Sequence, residues 1–177
     1  IEIRIGGLLS LERIAKDSMR FDRCRDHIRI MKIICAYIRQ NSPHPDPHPD
    51  HADERRHLTK LDIQVAIDVL RKRSPEQRKD EVKNSYRLDL RMTNLNHLDL
   101  SNSDFSRAIF LRSSLFGTLF KKTDLNHSNL YKCVMNKTNF SHANMNVASL
   151  IESSLTECFF PERVWWAADC AKSKSQI

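Results

Sequence analysis

A large apolar side chain recurs at every fifth position from residue 90 to residue 160, and this period constrains the fold more than any other feature of the chain. Fifteen consecutive steps carry such a residue: Leu90, Leu95, Leu100, Phe105, Phe110, Leu115, Phe120, Leu125, Leu130, Met135, Phe140, Met145, Leu150, Leu155 and Phe160. At the overall hydrophobic content of 40%, chance would produce such a series on the order of once in a million trials. The period is therefore a structural repeat.

Two further rows of positions keep the same period. From Ser103 onward, the residue two places before each apolar centre is always small. The residue directly before the centre is often acidic or an amide: Asp89, Asn94, Asp99, Asp104, Asp124, Asn129, Asn139 and Asn144. Short polar side chains of this kind suit chain corners, where they hydrogen-bond the local backbone.

Neither a helix nor a flat strand can use a period of five. Five residues are about one and a half helical turns, so successive apolar side chains would fall on opposite faces. An odd spacing on a strand would also change the face at every step. The pattern fits a chain that bends after each repeat, so that four repeats close a square coil and coils stack about 4.8 Å apart. The fifteen apolar residues are then the solenoid core.

The runs "TDLNH", "SNLYK", "TNFSH" and "ANMNV" resemble the pentapeptide-repeat family, whose repeats have the form A-(D/N)-L-x-x. The resemblance covers residues 86–160. It implies a mainly β fold with a helical N-terminal part: a right-handed quadrilateral β-helix of just under four coils, capped by helices. The motif is specific for the fold and says little about activity, because the repeats are a scaffold.

The predicted division of the chain is a helical region 1–82 with a Pro/His-rich linker at 42–57, a solenoid 83–160, and a C-terminal capping helix and tail 161–177. The run "IRIGGLLSLERIAKDS" followed by "IMKIICAYIR" is similar to the segment before the repeats in bacterial, membrane-anchored pentapeptide-repeat proteins. The first residue is Ile1 rather than Met. We therefore expect a cytoplasmic domain of a longer bacterial protein, at the cytosolic face of the inner membrane.

Trp165 and Trp166 follow Pro161 in a short predicted helix. Because a stacked coil leaves open backbone groups at its end, we expect this tryptophan pair to cover the last coil. A ligand-stacking site is the alternative interpretation.

The segment after the second predicted helix is rich in histidine and aspartate and contains the weak metal-ligand candidates His44, His48, His51 and His57. Imidazoles with carboxylates can hold zinc or nickel. Four prolines at alternate positions from Pro43 to Pro49 favour an extended linker instead. The sequence therefore predicts no metal site and no cofactor.

Catalytic motifs do not occur in this sequence. Its three glycines, Gly6, Gly7 and Gly117, allow neither a P-loop nor a dinucleotide fingerprint. Its five cysteines are odd in number and never spaced as C-x-x-C, which is typical of buried free thiols in a reducing compartment. The prediction is a protein that is not an enzyme.

Apolar residues also occupy outward positions of the repeat. The residue after each centre should point outward, and on one side of the coil this row contains Leu111, Tyr131 and Ile151, with Ile109 and Phe116 beside it. Exposed apolar patches mark contacts. The residues predict either cover by helices of the same chain or contact with another protein, including a second copy in a homodimer.

The net charge of +7 is spread over the chain without the dense basic stripe of a nucleic-acid-binding protein. The favoured function is a protein–protein interaction scaffold whose partner the sequence does not identify. The alternative that the family suggests is a DNA mimic that modulates type II topoisomerases. Such mimics are long and acidic, whereas this chain is short and basic.

Overall fold

The computed structural model describes residues 1–21, 26–44 and 61–160. Four helices occupy the N-terminal part of these ranges: α1 (Glu2–Phe21), α2 (His27–Asn41), α3 (Leu61–Arg71) and α4 (Pro75–Lys83). Helices α1, α2 and α3 pack against one another. Their shared core is formed by apolar side chains from each helix: Leu8, Ala15, Ile30, Met31, Ile34, Cys35, Ile38, Ile63, Ala66, Ile67, Val69 and Leu70.

Helix α4 begins at a complete capping box. The Ser74 hydroxyl accepts from the Gln77 backbone N–H, and the Gln77 side chain accepts from the Ser74 N–H, so two of the open donors of the first turn are satisfied. The Gln77 amide also donates to the Ala15 carbonyl at 3.1 Å, which joins α4 to α1. Among the described helices, none is long and apolar enough to cross a bilayer.

A buried charged cluster joins the helices. His27 of α2 lies 2.8 Å from the Glu81 carboxylate of α4, and Arg73 donates to the other oxygen of that carboxylate. All three side chains are less than one-tenth exposed. Buried charges of this kind are stable only when they are paired, so the contact holds α2, α4 and the α3–α4 connection in one arrangement.

A second polar cluster joins α1, α2 and α3 at Asp62. The Tyr37 hydroxyl donates to the Asp62 carboxylate at 2.6 Å, and the Arg4 guanidinium donates at 3.3 Å. Burial acts to raise the pKa of Asp62, but these two hydrogen bonds and the charge of Arg4 lower it overall. The carboxylate is therefore ionised at neutral pH and ties the three helices together.

Residues 86–160 form a β-solenoid. Within this range, eleven parallel bridges each join residues twenty apart, from Asp89–Ile109 to Asn139–Phe159. Backbone hydrogen bonds of about 2.8 Å run between successive coils, for example from the Leu90 N–H to the Ile109 carbonyl. Residues twenty positions apart in sequence are therefore neighbours in successive coils.

The expectation of a mainly β fold needs a correction. Over residues 86–160 the β-structure consists of isolated bridges, and no strand extends beyond a single residue pair. The reason lies at the corners: every residue two places after a centre, from Met92 to Glu157, has a φ of 54–64°, in the left-handed region. The chain turns so often that only one residue per side remains extended enough to pair.

These corners are turns closed by local hydrogen bonds. The N–H of the small residue donates to the carbonyl of the preceding centre, as from Ala108 to Phe105 at 3.1 Å. A positive φ at the third residue is the requirement of a type II turn. Among the fourteen corners from 92 to 157, only Gly117 is a glycine, so thirteen side chains are held in a conformation that costs roughly 1 kcal/mol each.

The Asp/Asn row satisfies the corner backbone. All eight of its side chains accept from the N–H two residues later, as Asp104 does from Ser106 at 2.9 Å. Where Ser114 replaces the Asp or Asn, the Asn96 amide of the preceding coil accepts from the Phe116 N–H at 2.8 Å. Asn136 does the same for the Thr156 N–H at 3.1 Å, where Ser154 replaces the Asp or Asn. The sequence pattern predicts the local bonds, and these two amides from neighbouring coils take their place at Ser114 and Ser154.

The apolar centres fill the interior. Thirteen of the fifteen predicted core residues are buried, from Leu90 to Leu150, whereas Leu155 and Phe160 at the C-terminal end are partly buried. The rings of Phe120, Phe140 and Phe160 stack with centroids 5.4 Å apart, as the twenty-residue spacing predicts. The small residues two places before each centre lie beside the apolar side chains. Several of their hydroxyl groups donate to carbonyls of the preceding coil, as the Thr118 hydroxyl does to the Leu95 carbonyl at 2.9 Å.

The helical half covers the open edge of the first coil. Four residues of the first coil have backbone groups that, in later coils, bond the preceding coil. Here at least one of these groups in each residue bonds a residue of the helical region: Asp89 bonds Arg39, Asn94 bonds Ser42, Asp99 bonds Gln64 and Asp104 bonds Arg73. Two of these partners bond both backbone groups. The Gln64 side-chain amide accepts from the Asp99 N–H at 3.0 Å and donates to the Asp99 carbonyl at 3.1 Å. The Ser42 carbonyl accepts from the Asn94 N–H, and the Ser42 hydroxyl donates to the Asn94 carbonyl. An edge covered in this way cannot pair with another chain.

Candidate protein-interaction face

One side of the solenoid carries the predicted apolar stripe. The interaction face is defined here by Ile109, Leu111, Tyr131 and Ile151. Backbone bonds from Arg112 to the Tyr131 carbonyl and from Lys132 to the Ile151 carbonyl place the three outward residues in successive coils. Leu111, Tyr131 and Ile151 therefore form a column in which each side chain lies one coil beyond the previous one.

The exposure of these side chains is intermediate rather than full. Each of the four, and Phe116 beside them, is neither buried nor exposed. None belongs to the buried core or to the apolar residues packed against it. Neighbours only one coil spacing apart shield one another, so a stacked column cannot be as exposed as a lone side chain. In the described residues, hydrogen bonds from the helical half reach only the first coil, at residues 86–104.

Tyr131 at the centre of the face is held in place by polar neighbours. Its hydroxyl donates to the Glu152 carboxylate at 2.6 Å, and Lys132 lies 3.2 Å from the same carboxylate and 5.0 Å from the Tyr131 ring centroid. The hydrogen bond from Tyr131 and the neighbouring Lys132 lower the pKa of Glu152. A ring fixed in this way loses little conformational freedom on binding a partner.

Phe116 lies on the adjacent side of the coil. Its ring meets the His97 imidazole edge to face at 5.3 Å, and the Lys137 ammonium lies 5.9 Å from its centroid. His97 also occupies the space above Gly117, where an added Cβ would come within 2.7 Å of the imidazole. Phe116 is therefore part of a local cluster around one corner and not a continuation of the Leu111–Tyr131–Ile151 column.

The corner charges are paired along the solenoid axis. Lys132 lies 3.2 Å from Glu152 and Lys137 lies 3.7 Å from Glu157, each pair one coil apart. Basic residues toward the N-terminal coils and acidic residues toward the last coil are visible in the sequence. Their pairing becomes visible only when the twenty-residue turn is known.

The predicted metal-ligand candidates are not assembled in the described residues. The His44 backbone N–H donates to the Met92 carbonyl, which adds residue 44 to the first coil, while His48, His51 and His57 lie outside the described residues. The part of the chain that the structure describes holds no group of three or more His, Cys, Asp or Glu side chains arranged for a metal ion. Trp165 and Trp166, the predicted lid, also lie outside the described residues.

Three of the five cysteines fall in the described residues and are free thiols. Cys35 and Cys133 are buried, and Cys158 is partly buried. Burial raises the pKa of Cys35 and Cys158 to about 11 and that of Cys133 to about 12. These thiols stay protonated at neutral pH, and a protonated thiol is a poor nucleophile and metal ligand.

The repeat region matches a known family. Residues 87–121 and 118–157 match the family model for pentapeptide repeats, described as eight copies. Residues 87–157 are therefore pentapeptide repeats. Proteins of this family are generally structural or interaction proteins rather than enzymes. Among the curated proteins, none matches the chain.

Three solved structures of pentapeptide-repeat proteins are similar to part of this chain. One from the Arabidopsis thaliana thylakoid lumen is 25% identical, with 41% of this chain and 50% of that chain covered and a TM-score of 0.40. Rfr23 from the cyanobacterium Cyanothece 51142 is 21% identical over 42% of this chain and 55% of that chain, with a TM-score of 0.38.

A third, from Nostoc Pcc 7120, is 25% identical over 48% of this chain and 83% of that chain, with a TM-score of 0.18. The chain spans about half the length of the first two structures.

Proposed function

We propose that this chain, whose residues 87–157 are pentapeptide repeats, is a non-enzymatic scaffold that binds another protein through the interaction face. The observation that supports the proposal is the column of Leu111, Tyr131 and Ile151, held one coil apart on a backbone bonded from coil to coil. The proposal includes a right-handed, four-sided solenoid of just under four coils as the rigid support.

A rigid apolar column suits protein recognition. Binding requires the loss of side-chain and backbone freedom, and a surface that is already ordered loses less. Tyr131 combines a large ring with a hydroxyl bonded to Glu152, and tyrosine is enriched among the residues that dominate interface energies. A second copy of this chain is one partner that the face would fit.

The proposed location is the cytoplasm, at the inner face of a bacterial membrane in a longer protein. Its support is the similarity of residues 3–18 and 30–39 to the segment before the repeats in membrane-anchored pentapeptide-repeat proteins. The net positive charge of the solenoid argues against the alternative function, that of a DNA mimic. The solenoid range 86–160 contains eight Lys and Arg against six Asp and Glu, whereas a DNA mimic needs an excess of negative charge.

The first experiment measures the mass of the protein by light scattering after size exclusion, at two protein concentrations and two salt concentrations. The variants are Tyr131→Glu and, as a matched control, Ser141→Glu, which occupies the same repeat position ten residues further along, on the opposite side of the coil. We expect a dimer that persists at high salt, is lost with Tyr131→Glu and remains with Ser141→Glu, since a charge in an apolar contact is costly.

A mass of 20.7 kDa, that of the monomer, under all conditions would exclude self-association through the interaction face. The proposal would then require a protein partner that the wild type and Ser141→Glu bind and Tyr131→Glu does not. Equal binding by all three, with circular dichroism spectra unchanged, would show that the interaction face is not the binding surface.

A further inference from the structure

A cleft of about 380 Å³ lies between α4 and the first two coils of the solenoid. Its volume is within the range of small-molecule sites. Five cationic side chains line it: Arg73, Arg78, Lys79, Arg87 and Arg107. The carboxylates in its lining are those of Glu81 and Asp104, so the charged groups of the lining sum to an excess of three positive charges.

Both carboxylates are already engaged by two of the five cations. Arg73 donates to Glu81, which also contacts His27, and Arg78 lies 3.2 Å from the Asp104 carboxylate. Among the described residues, the other three cations form no ion pair with either carboxylate of the lining. Lys79 lies near Glu76, which is outside the lining; local hydrogen bonds lower the pKa of that carboxylate, and the charge of Lys79 contributes to the lowering. The positive charge that remains in the cleft is therefore that of Lys79, Arg87 and Arg107.

Arg87 and Arg107 occupy the same column, one coil apart. The Arg87 guanidinium donates to the backbone carbonyls of Arg107 and His127. Those contacts use two of its five N–H donors. Burial and the nearby positive charge of Arg107 lower the pKa of Arg87. Because the charges of the two guanidinium groups repel each other, an anion bound to both would stabilise the arrangement.

We propose that this cleft binds the phosphate or diphosphate group of a small molecule, with Arg87, Arg107 and Lys79 as its cationic partners. A phosphate monoester carries close to two negative charges at neutral pH, which suits the excess charge. Arginine forks bind phosphate oxygens in pairs. The volume exceeds that of a phosphate group, and the Pro75, Val82 and Leu88 side chains in the lining leave apolar surface for the rest of the molecule.

The site uses other residues than the interaction face, so its test is independent of the proposed scaffold function. A molecule bound here would contact α4 and two coils together. It would therefore stabilise the junction between the helical half and the solenoid.

The test is isothermal titration of the whole chain with inorganic pyrophosphate, at matched ionic strength, for wild type, Arg107→Gln and Arg112→Gln. The control is closely matched: Arg107 and Arg112 occupy the same repeat position with φ of 62° and 56°, but Arg112 does not line the cleft. We expect saturable binding of pyrophosphate to the wild type. Arg107→Gln should raise the dissociation constant about tenfold, the effect of losing one charge-assisted hydrogen bond. Arg112→Gln should change the dissociation constant by less than about twofold.

Three outcomes would overturn the proposal. The first is no saturable binding of pyrophosphate at concentrations of about 1 mM. The second is equal weakening by Arg107→Gln and Arg112→Gln, which would indicate general attraction to a basic protein. The third is equally tight binding of citrate, which would assign the cleft to carboxylates rather than phosphates. Circular dichroism melts of both variants establish that each is folded.

Discussion

The helical half and the solenoid are stabilised in different ways. In the solenoid, the same contacts recur every twenty residues: a buried centre, a small residue bonded to the preceding coil and a corner bonded by Asp or Asn. In the described residues of the helical half, the side-chain bonds between different helices do not recur at a fixed spacing. Its specific bonds join residues far apart in sequence, such as His27 with Glu81 and Tyr37 with Asp62.

This difference indicates where each region is sensitive. Each coil of a solenoid contacts only its neighbours, so its stability is close to a sum of local terms. The helical half depends on a few buried charges, and the removal of one partner leaves the other buried and unpaired. The two regions meet at the edge of the first coil, where Arg39, Gln64 and Arg73 take the place of a preceding coil.

The largest effect is expected from the solenoid core. Phe120→Ala removes a fully buried ring that stacks on Phe140. We expect the free energy of unfolding to fall by about 3–5 kcal/mol, because the neighbouring coils cannot collapse into the cavity. Chemical denaturation followed by circular dichroism measures the change.

The matched control for that variant is Phe159→Ala, since Phe159 is 62% exposed. A change within about 0.5 kcal/mol is expected there. Similar losses for the two variants would contradict the assignment of the five-residue centres as the core.

A smaller loss is expected at the junction of the two regions. Glu81→Gln removes the carboxylate that pairs Arg73 with His27, and we expect a loss of about 2–3 kcal/mol from the unpaired buried charge. Native-state hydrogen exchange should show faster exchange in α2 and α4, whereas the amide of Phe140, in a distant coil, should keep its protection.

Glu76→Gln serves as the control, because Glu76 is an exposed residue of the same helix. It should leave the exchange pattern unchanged. If Glu81→Gln accelerates exchange equally in every coil, the two regions unfold as one unit and the comparison between them fails.

The smallest expected effect is a gain in stability. Val147 is a β-branched residue with a φ of 55° and is 63% exposed, a combination that is strained for valine. Asparagine tolerates this conformation, so Val147→Asn should stabilise the protein by about 1 kcal/mol. Thermal melts followed by circular dichroism measure the gain.

Val147→Thr is the control, because threonine keeps the branched Cβ at the same positive φ and adds only a hydroxyl group to the exposed surface. No stabilisation is expected there. A gain in both variants would mean that surface polarity, and not relief of backbone strain, explains the effect.

Much of the solenoid could be predicted because its contacts are encoded by spacing. The period of the centres indicates both their burial and the coil of four repeats, and the Asp/Asn row indicates the corner hydrogen bonds. The left-handed corners were not predicted. Their residues include His, Asn, Lys, Arg, Glu and a single glycine at Gly117, so the usual glycine signal for a positive φ is absent.

Of the two candidate sites, the interaction face could be predicted from the sequence and the cationic cleft could not. The column of Leu111, Tyr131 and Ile151 follows from the period once four repeats make a turn. The cleft at Arg87 and Arg107 could not be predicted, because its lining also includes residues of α4 and the α3–α4 connection. No spacing in the sequence relates Lys79 to Arg107.

The sequence by itself determined the repeat, the identity of its interior residues and the side on which the apolar column lies, because each of these depends on contacts at a constant separation of five or twenty residues. Only the tertiary structure decided how the first coil is covered and which charges meet. Arg39, Ser42, Gln64 and Arg73 contact first-coil residues that lie 31–52 positions away in sequence. Such contacts depend on how three helices pack, and packing geometry is not periodic in the sequence.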